Sequence, residues 1–593
     1  MRIIAGLTTL LAALVIYLPS FKAPFIYDDV PGIVKNDYLH IKSLSLGALK
    51  GAAFQDFKQN RPLTNLSFGL NYFFNGLNPF GYHLVNFAFF LLTALGIFLF
   101  IQKILSLRFD RLRASLAAWA STLVWVAHPI NIQAAAYISQ RHTVFAGAFS
   151  VWSIYAYHAG LDSKKFRGLL FLVSGLLCLL ALLSKETALA LPAIIFCYRL
   201  LFFDEFKPGW VMRNAKWAAA LALFYCLAAA FALRPSMLTL MAHEIQKYQF
   251  TPFQRLLTEP RVLLWYLVII IFPAPQLLSV ERDFAISKSL FHPAATMVGI
   301  AIILALAIAA VFAARQRKFF SFAVVWYLGM LFVESMPLPI DLAFDHRLYL
   351  ASLSLIVPAA SWPMLKLKSL RPAIWWMAVI VFFFAIFGLD RNLVLRNPEK
   401  LWKDAVAKAP GSYRSWYNYC TLTAEAGKCQ SAIKVCYKAI ALAPAYYRPH
   451  HNLGICYVKL GRPDLAEKEL LTAAELSKGE TDASYFNLAL LYSSQKEFEK
   501  SIKWYQEALK VRPDNARTHY FFGLNYHLMQ RDNEAMEEMG KALKLDPGLS
   551  DARVDLATIL VSQGRCGDSY KLIQSAPAPD PRLQKIKDFC QAR

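Results

Sequence analysis

The run from Leu84 to Ile101, LVNFAFFLLTALGIFLFI, carries no charged side chain over 18 positions. As a helix rising about 1.5 Å per residue it is about 27 Å long, near the roughly 30 Å thickness of a bilayer's hydrocarbon core. Lys103, Arg108, Arg111 and Arg113 follow it closely. An apolar run closed by a basic loop is the signature of a membrane crossing whose loop stays cytoplasmic.

Ten further runs share this character. They are Ile3–Leu18, Ala114–Ala127, Val144–Tyr157, Leu169–Leu183, Ala188–Phe203, Trp217–Leu233, Ala294–Ala314, Phe319–Val333, Leu348–Leu365 and Ala373–Leu389. Basic clusters at Lys164/Lys165/Arg167, Arg199/Lys207/Arg213/Lys216, Arg315/Arg317/Lys318 and Lys366/Lys368/Arg371 fall in alternate loops, as does the first. The N-terminus is therefore expected in the cytoplasm, with Ile3–Leu18 a retained signal anchor because no small-x-small cleavage site precedes Phe25. Eleven crossings put the C-terminal part on the opposite face. Arg261–Phe272, closed by Pro273 and Pro275, is expected to be re-entrant or interfacial, because a full crossing there would invert every later basic loop.

Composition agrees. Of 593 residues 57% are hydrophobic and 17% charged, and the mean hydropathy is +0.37, against roughly 45–50% apolar and 25% charged in soluble domains. The formal charge of +23 does not point to nucleic acid, since the basic residues of the first part sit in short loops that set topology. They face the bilayer surface, where anionic lipid or a lipid-linked phosphate is the natural counterpart.

Past Leu389 the apolar runs stop and a period of 34–35 residues begins. Pro410, Pro444, Pro513 and Pro547 mark it, with one proline missing. Small residues recur in a first helix at Cys420, Gly454, Ala489, Gly523 and Ala557, and in a second at Ala432, Ala466, Ser501 and Ala535. Trp416, Tyr457, Tyr485, Tyr492 and Tyr526 supply the large partners. This is similar to the tetratricopeptide repeat (TPR), a helix–turn–helix of about 34 residues. Five units are expected near 413–446, 447–481, 482–515, 516–549 and 550–583. Residues 398–409 would be a capping helix, so the membrane domain is drawn as 1–397 and the TPR domain as 398–593. The fold class is all-α: a polytopic helical membrane domain followed by an α-solenoid.

Such solenoids present a groove to extended chains. Asn418, Asn452 and Asn487 occupy one place in three successive units, and a row of amides suits a peptide backbone; polar capping is the alternative role. Six cysteines (Cys420, Cys429, Cys436, Cys456, Cys566 and Cys590) lie in the expected non-cytoplasmic part, where disulfides persist. Cys566–Cys590 and one bridge among the first-repeat cysteines are expected. No zinc-type spacing is present, so no metal cluster is expected.

Charged residues at membrane depth mark function by default. Four groups fall on the non-cytoplasmic helix ends: Tyr27-Asp28-Asp29; His128, with Gln140-Arg141-His142; Ser184-Lys185-Glu186; and Asp345-His346-Arg347 with Tyr349. Two acids, several cations and a bilayer suit a lipid-linked sugar phosphate. Arg or Lys would bind the phosphate, and a carboxylate would take the proton of the acceptor hydroxyl. The leaving group is already a phosphate, so an inverting displacement needs a single base. Local roles compete with this: a loop cap for Asp28-Asp29, an ion pair for Lys185-Glu186, a hydrogen-bonded interfacial residue for His128.

Asn60-Arg-Pro-Leu-Thr64, Leu70-Asn-Tyr72, Gly76-Leu-Asn-Pro-Phe-Gly-Tyr-His-Leu-Val-Asn86, His128-Pro129, Ser184-Lys-Glu186 and Arg347-Leu-Tyr-Leu350 stand in the order seen in the transmembrane and tetratricopeptide-repeat containing proteins. That family resembles protein O-mannosyltransferases and the GT-C fold of lipid-phosphosugar-dependent transferases. The resemblance implies that Asp28 or Asp29 is catalytic, with Arg347, His346, Lys185 and Arg141 near the donor phosphate. Glu186, His128, Asp345, Tyr349 and Arg61 would support them. The chain departs from the family at Gln140-Arg-His-Thr143, which lacks the usual acid, and at Asp345-His346-Arg347, whose acid stands one place early. The reaction class is therefore carried over and the sugar is not.

Expected partners are a polyprenyl-phosphate-linked sugar, a protein acceptor in the TPR groove, and the bilayer. No nucleic acid is expected. No cofactor is demanded, though two carboxylates could hold magnesium or manganese. The TPR part would face a bacterial periplasm, or an endoplasmic reticulum lumen in a eukaryote. Two other functions fit the same features: a lipid-carrier transferase or ligase of surface polysaccharide, and a non-catalytic TPR membrane scaffold. A transporter fits less well, as paired Gly/Pro-broken helices in matching halves are missing.

Overall fold

A computed structural model describes residues 2–55, 61–204, 209–232, 234–235, 239, 250–338 and 340–591. Asn60, Lys207 and Leu233, used in the sequence reading, lie outside the described residues. Every element among the described residues is helical, and the chain divides into two compact units, Met1–Ala409 and Pro410–Arg593.

The first unit runs α1 (Arg2–Tyr17), α2 (Leu46–Phe54), α3 (Pro62–Asn75), α4 (Pro79–Leu105), α5 (Arg111–Ala127), α6 (Asn131–Ala136), α7 (Arg141–Asp162), α8 (Arg167–Ser184), α9 (Leu191–Arg199), α10 (Trp210–Ala232), α11 (Pro252–Ile271), α12 (Ala295–Ala313), α13 (Lys318–Phe332), α14 (Leu348–Ala351), α15 (Leu353–Lys366), α16 (Leu370–Leu395) and α17 (Pro398–Lys408). All eleven apolar runs fold as helices. Among the described residues six segments are long and apolar enough to cross a membrane, seven if α14, with the turn before it, and α15, bent by 50°, make one span. Asn214–Ala230 within α10, and α13, are apolar but shorter. α5 and α7 are more polar because they lie inside the bundle, where Ser121, Thr122, Ser150 and Ser153 are buried. The segment expected to be re-entrant or interfacial falls in a continuous 20-residue helix, α11.

Burial is inverted relative to a soluble protein. α8 exposes Leu169, Leu172, Leu176 and Leu179, while α16 exposes Trp375, Trp376, Phe382 and Phe383, as expected where the solvent is hydrocarbon. The α14–α15 break frees backbone carbonyls inside the bundle, and two indoles take them. Trp125 donates to the Tyr349 carbonyl at 2.9 Å and Trp326 to that of Leu350 at 2.7 Å. The turn carrying His346 and Arg347 is thus tied to α5 and α13. α17 packs within the first unit, where the Arg391–Asp404 pair (2.6 Å) joins it to α16.

The second unit is five helix pairs: α18 (Tyr413–Glu425) with α19 (Cys429–Leu442), α20 (Tyr447–Lys459) with α21 (Pro463–Ser477), α22 (Ala483–Ser494) with α23 (Phe498–Val511), α24 (Ala516–Leu528) with α25 (Asp532–Leu545), and α26 (Ser550–Ser562) with α27 (Cys566–Gln574). A closing helix, α28 (Pro581–Gln591), follows. The small residues sit where paired helices touch: a Cβ on Gly523 would meet the Ala535 carbonyl oxygen at 2.9 Å. The Cys420–Cys436 disulfide lies within the first repeat, and Cys566–Cys590 fastens α28 to α27. Cys429 and Cys456 remain as buried thiols.

Candidate active site

The loop after α1 turns at Tyr27, which takes a left-handed φ of 53°, a conformation costly for a bulky residue and frequent at functional sites. The Tyr27 hydroxyl donates to Glu281 at 3.0 Å, and its ring packs on Trp402. This places the two following acids differently. Asp29 is 1% exposed; its Oδ1 accepts the Ser139 N–H at 2.7 Å and its Oδ2 the Ile26 N–H at 3.0 Å. Burial pushes its carboxyl up to about 7, against the opposing pull of those two N–H groups. Asp28 is half-buried, and among the described residues no side-chain hydrogen bond or ion pair holds its carboxylate. Its charge is felt at Arg61.

Arg61 opens α3 and grips Glu186 with a fork, at 3.1 Å from Nε and 2.6 Å from Nη2. Lys185, extended at the end of α8, donates to Glu334 at 2.7 Å and to the Thr143 hydroxyl at 3.3 Å. Arg347 approaches the other Glu334 oxygen at 3.7 Å, and donates to the carbonyls of Leu342 (2.7 Å) and Asp341 (2.6 Å). His346 stacks on Phe344 and keeps Nδ1 buried with no hydrogen-bond partner.

Lys185, Glu334, His346, Arg347, Thr143 and Tyr349 line one cavity of about 40 Å³. That is room for a group or two of water size, such as an oxyanion, and not for a whole sugar. Two full cations and one carboxylate leave it positive. An apolar cavity of about 520 Å³ lies next to it, lined by Phe100, Ile104, Val151, Phe322, Trp326 and Leu353 among others. Its size falls within the roughly 300–1,000 Å³ of small-molecule sites. The two cavities have no lining residue in common, but neighbouring residues of α7 line them, Ser150 the small one and Val151 the apolar one.

Three expected donor or supporting residues are engaged elsewhere. Arg141, placed near the donor phosphate by resemblance, is completely buried. It donates to Asn86 (2.8 Å), Ser67 (3.1 Å) and the Tyr82 carbonyl (3.0 Å) and lies over the Phe68 ring. It lines neither cavity and ties α7 to α3 and α4. His128 donates to the Ile270 carbonyl at 2.9 Å and accepts the Ile130 N–H at 3.2 Å. Asp345 is paired with Arg282 and accepts the Ser279 N–H at 3.2 Å. In the second unit the asparagine row spends its amide nitrogens locally. Asn418 donates to the Arg414 carbonyl, Asn452 to Thr421 and Asn487 to the Ala483 carbonyl.

Sequence reasoning missed Glu334, the anion between the two cavity cations. It also missed Arg255, which pairs with Glu259 at 2.7 Å and donates to the carbonyls of Glu334 (2.7 Å), Met336 (3.0 Å), Ile340 and Asp341 (3.1 Å). The neighbours Glu281 and Arg282, holding Tyr27 and Asp345, were missed too. Glu334 closely follows α13 as Lys185-Glu186 follows α8, and a charged residue at the end of an apolar helix is the signal by which that pair was found.

The tetratricopeptide repeat family matches residues 447–514 and 516–549. Over 92% of its length the chain is 24% identical to mouse "Protein O-mannosyl-transferase TMTC3", and over 94% it is 23% identical to the human protein of that name. It spans 64% and 66% of those proteins, just under two thirds. A human protein named "Protein O-mannosyl-transferase TMTC2" is 29% identical over 37% of this chain and 27% of its own. Among solved structures, the crystal structure of MamA is similar over 29% of this chain and 97% of that one, at 19% identity and a TM-score of 0.25.

Proposed function

We propose that this relative of the transmembrane and tetratricopeptide-repeat containing proteins is a membrane glycosyltransferase that moves a sugar from a polyprenyl-phosphate carrier to Ser or Thr hydroxyls of a protein. The observation that carries the reading is a pair of cavities lined by neighbouring residues of α7, α13 and the α14–α15 break, one small and cation-lined, the other large and apolar. An amphiphile with a phosphate head and an isoprenoid tail matches that pair.

In this reading Lys185 and Arg347 hold the donor phosphate, Arg347 by its guanidinium and Lys185 as a point charge. Glu334 holds both cations in place before the donor arrives. His346, with Nδ1 unengaged, adds a hydrogen bond to the phosphate. The sugar, too large for the small cavity, lies outward of it toward the first loop. Asp28 takes the proton of the acceptor hydroxyl as that oxygen attacks the anomeric carbon. The bond from this carbon to the phosphate oxygen breaks, and the carrier phosphate leaves with the electron pair. One base and a stabilised leaving group suffice for an inverting displacement. Asp29, anchored on both oxygens, positions the loop and leaves the proton transfer to its neighbour. The TPR unit captures the acceptor chain, on the same non-cytoplasmic side as the charged cavity.

The test is transfer by purified protein in nanodiscs, from a radiolabelled polyprenyl-phosphate hexose to a Ser/Thr-rich peptide. The reading expects carrier-dependent label on the peptide, with the anomeric configuration inverted. No label from any carrier-linked hexose or pentose, or label on polysaccharide alone, would overturn it.

A further inference from the structure

The first helices of the repeats open on equivalent places held by Arg414, Arg448, Ala483, Arg517 and Asp551. Arg448 and Arg517 are exposed. Each guanidinium rests on two aromatic rings drawn from successive repeats. Arg448 lies 5.8 Å from the Tyr417 ring centre and 5.7 Å from that of Tyr447, and donates to the Tyr417 hydroxyl at 3.2 Å. Arg517 lies 5.6 Å from Phe486 and 5.5 Å from Phe521. Among the described residues neither has a carboxylate partner. Four other exposed cations of this unit do: Lys500 with Glu497, Lys510 with Glu507, Arg531 with Glu534, Arg565 with Asp568.

The surroundings point the same way. Between Pro410 and Arg462 stand Arg414, Lys428, Lys434, Lys438, Arg448, Lys459 and Arg462, against a single acid, Glu425. Tyr413, Tyr417, Tyr446 and Tyr447 form one cluster beside Arg448, with ring centres 5.2 to 6.0 Å apart. Arg448 also donates from Nε to the Tyr447 hydroxyl at 3.3 Å; a guanidinium held by rings and hydroxyls keeps Nη2 for a carboxylate, and little freedom is lost when one takes it. One turn further on, Asn418, Asn452 and Asn487 have committed their nitrogens to the repeat. What they offer a passing chain is carbonyl oxygen, an acceptor for backbone N–H.

We infer that this face of the repeats binds an extended polypeptide segment rich in Asp and Glu, its carboxylates taken by Arg448 and Arg517 two repeats apart and its backbone by the asparagine row. The acceptor of the transferase would then be an acidic segment; only that last step rests on the proposed transfer.

Binding is measured without donor, by fluorescence anisotropy on the full chain in nanodiscs. The probes are a 15-residue Ser/Thr peptide with Asp and Glu at alternate positions, its Asn/Gln counterpart, and a polyuronate oligosaccharide. The acidic peptide is expected to bind at least about tenfold tighter than the neutral one, with affinity falling as salt rises. Arg448→Ala and Arg517→Ala should each weaken it about three- to tenfold and leave the neutral peptide unchanged, and Arg448→Lys should restore only part. Equal binding of the two peptides, an unaffected double variant, or tighter binding of the polyuronate would overturn the inference. Asp28→Asn separates the two readings: it should stop transfer and leave acidic-peptide binding intact.

Discussion

The backbone N–H of Ser139 donates to the Asp29 carboxylate at 2.7 Å across 110 positions of chain. With the Ile26 N–H on the other oxygen, this makes Asp29 the fastening of the first outer loop to the α6–α7 turn. A buried N–H left unpaired costs roughly 1–3 kcal/mol. Asp29→Ala strands two of them. It should lower the unfolding midpoint by several degrees in a thermal melt, whereas Asp28→Ala should shift it little.

The same carboxyl gives a pH prediction. Its folded value is raised, to about 7, above the roughly 3.9 of an unfolded aspartate. The folded state therefore holds a proton that the unfolded state has lost. Stability from this group is complete below about pH 4 and declines as pH rises through 7. Melting midpoints from pH 5 to 8 should fall more steeply in the wild type than in Asp29→Asn.

Glu334 stands between Lys185 and Arg347. Removing one member of a buried charge group costs about 3–5 kcal/mol. Glu334→Ala should therefore destabilise strongly, and Glu334→Gln less. Arg347→Lys keeps the charge and loses the fork. It should raise the donor KM at least about tenfold, and, because one ammonium cannot replace both bonds to the Leu342 and Asp341 carbonyls, lower the melt by several degrees.

The two disulfides report compartment and stability together. A loop the size of that closed by Cys420–Cys436, whose cysteines are 16 positions apart, contributes roughly 3 kcal/mol. Intact mass of protein alkylated without reduction should show four cysteines protected. Cys420→Ser should lower the unfolding temperature of the repeats by several degrees. Protein taken from cells with all nine cysteines alkylated would argue for a cytoplasmic TPR unit.

Helices were legible because hydrocarbon and the repeat period each impose a pattern on every turn. Leu84–Ile101 and the Gly454/Gly523 positions read correctly for that reason. The bridges were legible in part: Cys566–Cys590 was expected outright, the first-repeat bridge without its pairing. Charged residues were legible as a set and not one by one. Arg141, His128 and Asp345 look like Lys185 and Arg347 in sequence, but their partners Asn86, Ile270 and Arg282 lie 55, 142 and 63 positions away. Whether a cation is spent or available depends on such distant partners. Glu334 and Arg255 were missed for the same reason.

In the proposed mechanism Asp28 takes the acceptor proton beside a phosphate held by Lys185 and Arg347. Single-turnover transfer from polyprenyl-phosphate hexose to a Ser/Thr peptide, compared between wild type, Asp28→Asn and Asp29→Asn, tests it most directly. Loss of a general base costs roughly 10²–10⁴-fold; Asp28→Asn should lose that much while binding donor normally, and Asp29→Asn should lose rate in step with its stability. Wild-type turnover by Asp28→Asn would contradict the account.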